Sequence, residues 1–269
     1  MILMNRDGRS TGTRPVGDLL REWRQHRRLS QLALALDAEI STKHLSFLET
    51  GRSRPSREMV LHLAELLDVP LRERNALLQA AGFAAVFPQH ALSDPEMAVA
   101  RQAVEAVLAA HNPWPALAVD RHWDLVAGNE AAMRLLGGGV APALLVPPVN
   151  VLRASLHPDG LARQIVNLAV WRGHILARLR QQVAATADPV LMALAGELAA
   201  YPGGTEHPVP GDAGLVIPLL LRHGEVVLSL FGTVTVFGTP VDITLAELAV
   251  EAFYPADAAT AAMLRAMAG

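Results

Sequence analysis

The chain has 269 residues, 51% hydrophobic but only 4% aromatic, so one large or two ordinary domains must be packed mainly by Ala, Leu and Val. The absence of cysteine excludes disulfides, thiol catalysis and cysteine-bound zinc. A formal net charge of -3 conceals an asymmetry: residues 1–90 carry 13 Lys/Arg against 10 Asp/Glu, a net of +3, whereas the remainder carries 10 against 16, a net of -6. Any polyanion is therefore expected at the front.

Residues 1–14 lack an apolar segment, so they read as a disordered arm and not as a signal peptide. From Val16 the pattern is helical, with Leu19, Leu20 and Trp23 inward among arginines. Ser30 and Ser41 are placed to cap a second and a third helix, and Gly51 to end the third. Pro55-Ser56 opens a fourth, with Met59, Val60, Leu63, Leu66 and Leu67 inward, and Pro70 stops it; "LRERNALLQAAGF" gives a fifth, closed by Gly82. Residues 15–86 thus read as a five-helix domain, 87–95 as a linker, and 96–269 as a second domain. In that second part, 95–110 reads as a helix, 116–119 and 123–127 as paired strands, and 129–136 as a helix. Residues 150–186 and 189–200 read as helical, 201–214 as a loop, and 215–221 and 226–237 as strands. Residues 248–254 fit a strand or a helix, and Pro255 and Asp257 start a terminal helix. "VVLSLFGTVTVFGTPVDIT" at 226–244 reads as an apolar ribbon bending at Gly232 and Gly238, with Thr233, Thr235 and Thr239 away from its apolar side or at the mouth of a cavity. The fold class is α+β. The strongest apolar run, 214–221, is far short of the roughly 20 residues that span a bilayer, which points to a soluble, cytoplasmic protein.

"SQLALALDAEISTKHLSFLETGRSRPS" has the parts of a helix-turn-helix. Leu34, Ala35 and Ala38 face inward on the first helix, and Ile40 plugs the turn. Leu45 and Leu48 are buried on the second helix, which leaves Thr42, Lys43, Ser46 and Phe47 outward. The stretch resembles the phage-repressor and Cro-type helix-turn-helix family through Ser30-Gln31, Ala35, Ile40-Ser41, Leu45, Leu48, Glu49, Gly51, Arg52 and Pro55-Ser56. The resemblance implies double-stranded DNA as partner, with Gln31, Arg52 and Arg54 as phosphate contacts and Thr42, Lys43, Ser46 and Phe47 at base edges. Glu49 is expected to be structural, since a carboxylate facing phosphates is repelled. Two departures stand out. The turn glycine of the family is replaced by Glu39, costly if its φ is positive, and Leu32 and Leu36 stand where the family is often charged.

The second part holds no GxSxG, HExxH or P-loop pattern, so no enzyme, metal or cofactor is expected. Its order of hairpin, helices and ribbon resembles a PAS-like sensor with a helical insert. "LAVDRHWDLVAGNEAA", "NVLRASLHP", Trp171 and "LSLFGTVTVFGTPVDITLAELAVEAFYPAD" resemble the ligand-binding domain of MmyB-like transcription regulators, which pair it with a repressor-type helix-turn-helix. The resemblance implies a DNA-binding regulator whose second domain binds a small ligand. A single five-helix domain contacts only a half-site, so a homodimer on a palindromic site is expected. A pocket walled by Leu, Val, Ile and Phe favours a small lipophilic ligand, such as a long-chain fatty acid. Trp123, Asn129, Trp171, Phe231 and Phe237 are the candidate ligand contacts, and Arg153 with His157 one turn on is the candidate carboxylate site, Arg172 and His174 being alternatives. The rival reading is a helix-turn-helix protein whose second domain only dimerises or holds a protein partner.

Overall fold

Ser30, Ser41 and Ser56 each stand in extended backbone and turn a side-chain oxygen onto an amide of the helix that follows: Ala33 at 3.0 Å, His44 at 3.1 Å and Met59 at 3.2 Å. They open three of the five helices of the first unit, which are α1 (Val16–His26), α2 (Gln31–Asp37), α3 (Thr42–Glu49), α4 (Arg57–Leu66) and α5 (Leu71–Ala80). The computed structural model describes residues 14–204, 216–238 and 240–268; residues 1–13 of the arm expected at 1–14, most of the loop expected at 201–214, Leu215 and Thr239 lie outside the described residues. The chain divides into two compact units between Pro88 and Gln89.

Helix ends in the first unit share one device. Arg28, Glu39 and Asp68 take left-handed φ values of 57°, 54° and 46°. After each, the next amide reaches back five residues, from Leu29 to Arg24, Ile40 to Ala35, and Val69 to Ala64. This is the Schellman closure, and each time it drops an apolar residue onto the core. The positive φ at Glu39 is met without glycine, at a cost of about 1–2 kcal/mol for a residue with a Cβ. The core is made by Leu20, Leu34, Leu45, Leu48, Leu63, Leu67, Leu77 and Leu78, all but fully buried. Gly17 packs against the end of α3: a Cβ there would lie 2.5 Å from the Leu48 carbonyl oxygen.

The second unit begins with a 3-10 turn, Pro95–Met97, then α6 (Ala98–Ala110), β1 (Ala116–Val119), β2 (Leu125–Gly128) and α7 (Glu130–Gly137). The helical insert follows as α8 (Val151–Leu156), α9 (Leu168–Thr186) and α10 (Pro189–Ala200), with 3-10 turns at Pro142–Leu145 and Leu161–Arg163. The chain closes with β3 (Leu219–His223), β4 (Val226–Val236), α11 (Ile243–Ala246), β5 (Ala249–Pro255) and α12 (Ala258–Ala268). All pairings are antiparallel, in the order β2-β1-β5-β4-β3. The α+β class with an antiparallel sheet and helical insert therefore stands.

Of the two readings open for 248–254, the strand is the one formed: residues 249–255 are the central strand. The details of the strands differ from expectation in two places. The apolar stretch from Val226 is a single strand running through Gly232; the hairpin is the one that joins β3 to β4 through Gly224, φ 59°. Trp123 does not start β2. The Asp120 carboxylate accepts from the amides of His122 and Asp124, at 2.8 and 2.9 Å, and this tight turn holds Trp123 at φ 69°.

The two faces of the sheet are used differently. One receives α6, whose Val104 and Leu108 pack on Ala116, Ala118, Val250 and Ala252. The other is covered by the helical insert. The stretch expected as linker is fastened at both ends, each to its own unit. In the first unit the Asn75 side chain accepts from the amides of Val86 and Phe87 and donates to the Phe87 carbonyl. In the second, His90 meets Asp242 through both its ring, at 2.8 Å, and its amide, at 3.2 Å.

Candidate functional site

In the first unit α3 is held from behind by a buried carboxylate. Arg24 donates to both oxygens of Glu49, at 2.6 and 3.0 Å, Gln31 adds a bond at 2.8 Å, and Arg21 stands 3.6 Å away. Burial disfavours the charged form of Glu49, but these bonds and charges outweigh it and hold the carboxyl below its ordinary value. Glu49 is structural, as its chemistry required. The same geometry alters the reading of Gln31. Its amide is turned inward to Glu49, so only one of its two N–H groups remains for a phosphate.

The opposite face of α3 is open. Lys43 is exposed, while Thr42, Ser46 and Phe47 are partly exposed beside it. Phe47 lies between two cations: the Lys43 ammonium is 5.6 Å and the Arg52 guanidinium 5.8 Å from its ring centre. Arg52 and Arg54 are exposed on the segment leaving α3. So is Arg57, at the start of α4, which the sequence reading did not single out. Leu32 and Leu36, the apolar residues at positions often charged in such helices, are 68% and 76% exposed.

In the second unit the sheet and the insert line a cavity of about 470 Å3. Its walls are apolar, from Leu117, Leu152, Ile175, Leu221, Leu230 and Phe253 among others, and its size is within the usual range for small-molecule sites, ~300–1,000 Å3. Trp123 and Trp171 both line it. The left-handed turn swings the Trp123 ring inward, and its indole N–H donates to Gln182 at 2.8 Å. The Trp171 N–H reaches the Ser155 hydroxyl at 3.4 Å.

The other expected ligand contacts lie elsewhere. Asn129 caps α7 and bridges the start of β1: its oxygen accepts from Ala116 and Ala132, and its amide donates to Trp114 and Leu108. Such a saturated side chain has nothing left for a ligand. Arg153 is turned away from the cavity and forms a two-pronged pair with Glu197, at 2.8 Å on each prong. His157 packs edge-on against Tyr201 and accepts from the Asp159 amide. The Tyr201 hydroxyl donates in turn to Glu197, and burial together with that carboxylate pushes its pKa up to about 12. Phe231 and Phe237 fail for a reason of strand period. Leu228 and Leu230 face the insert, so odd-numbered side chains of β4 face the other side of the sheet. There Phe231 stacks on Tyr254, and Phe237 packs with the cluster under α6. Of the threonines, Thr233 borders the cavity and donates to the Ala252 carbonyl at 3.4 Å, and Thr235 is exposed.

Of the alternatives, Arg172 is buried against the end of α10, donating to Ala199 and Gly204. His174 does line the cavity, tilted against Trp171. Burial and the neighbouring Arg178 charge lower its pKa, with Glu251 opposing them. The charged groups of the cavity are a pair that the sequence reading missed, Arg178 on α9 and Glu251 on β5. They bond at 3.0 and 2.5 Å, with the guanidinium 4.5 Å over the Trp123 ring. A signal for them was present. Trp171, His174, Ile175 and Arg178 recur at helical spacing, and Glu251 alternates with Ala249 and Phe253 on the inward side of a strand.

Among the described residues no group of three or more His, Cys, Asp or Glu is arranged to hold a metal, and no helix is long and apolar enough to cross a membrane. Comparison with known families matches a helix-turn-helix domain to residues 15–77 and the MmyB-like transcription regulator ligand binding domain to residues 100–267, well over half of the chain. Among curated proteins no match was found. With an open recognition helix in one unit and an apolar cavity in the other, both where the family domains match, the chain belongs to the MmyB-like transcription regulators, ligand-responsive proteins that bind DNA.

Proposed function

We propose that the protein is a one-component regulator in which residues 15–86 read a specific operator and residues 96–269 sense a small lipophilic, fatty-acid-like ligand and dimerise. The observation that carries this reading is the cavity: about 470 Å3, lined mainly by apolar side chains, with Arg178 and Glu251 paired on its wall. Burial of apolar surface stabilises a bound chain by ~25 cal/mol per Å2, before the losses of association. The sheet order β2-β1-β5-β4-β3 supports the PAS-like comparison. On DNA, Lys43 is aimed to meet guanine O6 or N7, and Phe47 or the Thr42 methyl a thymine methyl; Ser46 is a further base-edge contact. Arg52, Arg54 and the remaining amide hydrogen of Gln31 meet phosphates. One such domain covers a half-site, so a homodimer on a palindrome is expected.

Native mass spectrometry of gently purified protein tests the sensing role. A co-purifying small molecule, or binding of an added medium- to long-chain fatty acid, supports it. Dimers that remain empty under both conditions favour a second unit that only dimerises or holds a protein partner.

A further inference from the structure

Resting on the sensing role just proposed, the chemistry of the cavity specifies the kind of head group it accepts. Among the described residues that line it, Arg178, Glu251 and His174 are the titratable ones. Arg178 and Glu251 neutralise each other through two hydrogen bonds, with the guanidinium face laid on Trp123. The guanidinium still has three N–H donors outside that pair, and each Glu251 oxygen a further lone pair. Ser155 and Thr233, also on the wall, are neutral. We propose that the cavity admits its ligand at constant net charge: an uncharged head with both donor and acceptor enters as it is, whereas a carboxylate enters only together with one proton.

The reason is electrostatic. A carboxylate added beside an already neutral pair is a third charge in a low-dielectric enclosure, and burial disfavours it unless a proton cancels it. The proton is shared between the ligand carboxyl and Glu251, two carboxyls facing one guanidinium, a geometry in which both do not ionise together. His174, facing the same space from α9, is the rival acceptor, but burial and the Arg178 charge favour its neutral form.

The test uses the full chain with dodecanoic acid and dodecanamide, matched in length and differing in head. Binding is followed by calorimetry from pH 6 to 8, below the micelle concentration of the acid and in buffers of different ionisation enthalpy. A free carboxyl titrates near pH ~4–5, so the acid is expected to lose affinity by up to about tenfold per pH unit, with uptake of about one proton per ligand. The amide is expected to bind with no pH dependence and no uptake. Glu251→Gln frees Arg178 for the ligand and is expected to strengthen acid binding at pH 8 at least tenfold while abolishing uptake, with amide binding reporting that the cavity is intact. His174→Gln is expected to keep the uptake. If neither ligand binds, the sensing role itself fails. If both bind but the acid is indifferent to pH and takes up no proton, the constant-charge inference is overturned and the sensing role stands. Loss of uptake in His174→Gln overturns the placement of the proton on the carboxyls.

Discussion

At the scale of the residue, the expected carboxylate partner Arg153 and the cavity arginine Arg178 separate by what already holds them. Arg153 is part of a surface pair with Glu197, its side chain 43% exposed, and does not line the cavity. Arg153→Leu is therefore expected to cost under about 1 kcal/mol of stability, as half-exposed ion pairs do, and to leave the ligand dissociation constant unchanged in calorimetry. An abolished affinity would restore Arg153 to the ligand site. A similar separation holds on α3. Lys43 is exposed in the first half of the helix, whereas Arg52 follows its end. If Lys43 reads a base, Lys43→Ala costs roughly 1–3 kcal/mol on the preferred operator and relaxes preference at one position. Arg52→Ala, if it only neutralises a phosphate, weakens every sequence alike and lowers the slope of log affinity against log salt by about one. Binding to a selected and a scrambled duplex across salt concentrations checks both. Equal weakening on the two by Lys43→Ala would remove it from base readout.

At the scale of the element, the packing of the first unit hinges on Glu49, which joins α1, α2 and α3 through Arg24 and Gln31. The folded carboxyl is held below its ordinary value. Its contribution to stability is therefore complete above the unfolded value of about 4.3 and is lost as pH falls through the lower folded value. Glu49→Gln is expected to destabilise the unit at neutral pH, at the lower end of the roughly 3–5 kcal/mol seen for broken buried pairs, since the amide oxygen still accepts from Arg24. It should also flatten the acid limb of stability. Hydrogen exchange of the α1, α2 and α3 amides at pH 7 and pH 4 reads both; equal losses at the two would deny Glu49 its role. Such elements were legible because caps, turn positions and inward leucines are local. Ser30, Ser41 and Ser56 announce helices by themselves, and the strain at Glu39 was visible as a glycine missing from its place. The ribbon from Val226 was legible as a strand but not as a face. Alternation gives two sides without saying which is covered, and only the pairing with β5 puts Phe231 outward and Val234 opposite Glu251. The Arg178–Glu251 pair was hidden for a related reason. It joins residues 73 apart, one on a helix and one on a strand, and no local pattern brings those together. Arg153 looked the better partner only because its own carboxylate, Glu197, lies 44 residues away and is also hidden from any local pattern.

At the scale of the whole molecule, the regulator reading makes DNA and ligand affinity two sides of one quantity. If ligand changes operator affinity by some factor, operator DNA must change ligand affinity by the same factor, typically ~5–150-fold in allosteric proteins. The sign need not be known beforehand, so the test is equality: operator titrations with and without ligand, against ligand titrations with and without operator. The connection between the units makes the prediction sharper. The chain is fastened at Phe87 by Asn75 and at His90 by Asp242, each within its own unit, so the stretch that joins the units at Pro88 and Gln89 is short. Six Gly/Ser residues inserted there behave as flexible coil. They are expected to leave the cavity affinity as it was and to weaken operator binding only modestly, by lowering the effective concentration of the second reading head, while driving the coupling factor towards one. Were the coupling to survive the insertion unchanged, it would have to pass by some route other than this stretch, such as ligand-dependent dimerisation. Sedimentation of the inserted protein with and without ligand would then show a shift in the monomer–dimer balance as large as the coupling itself.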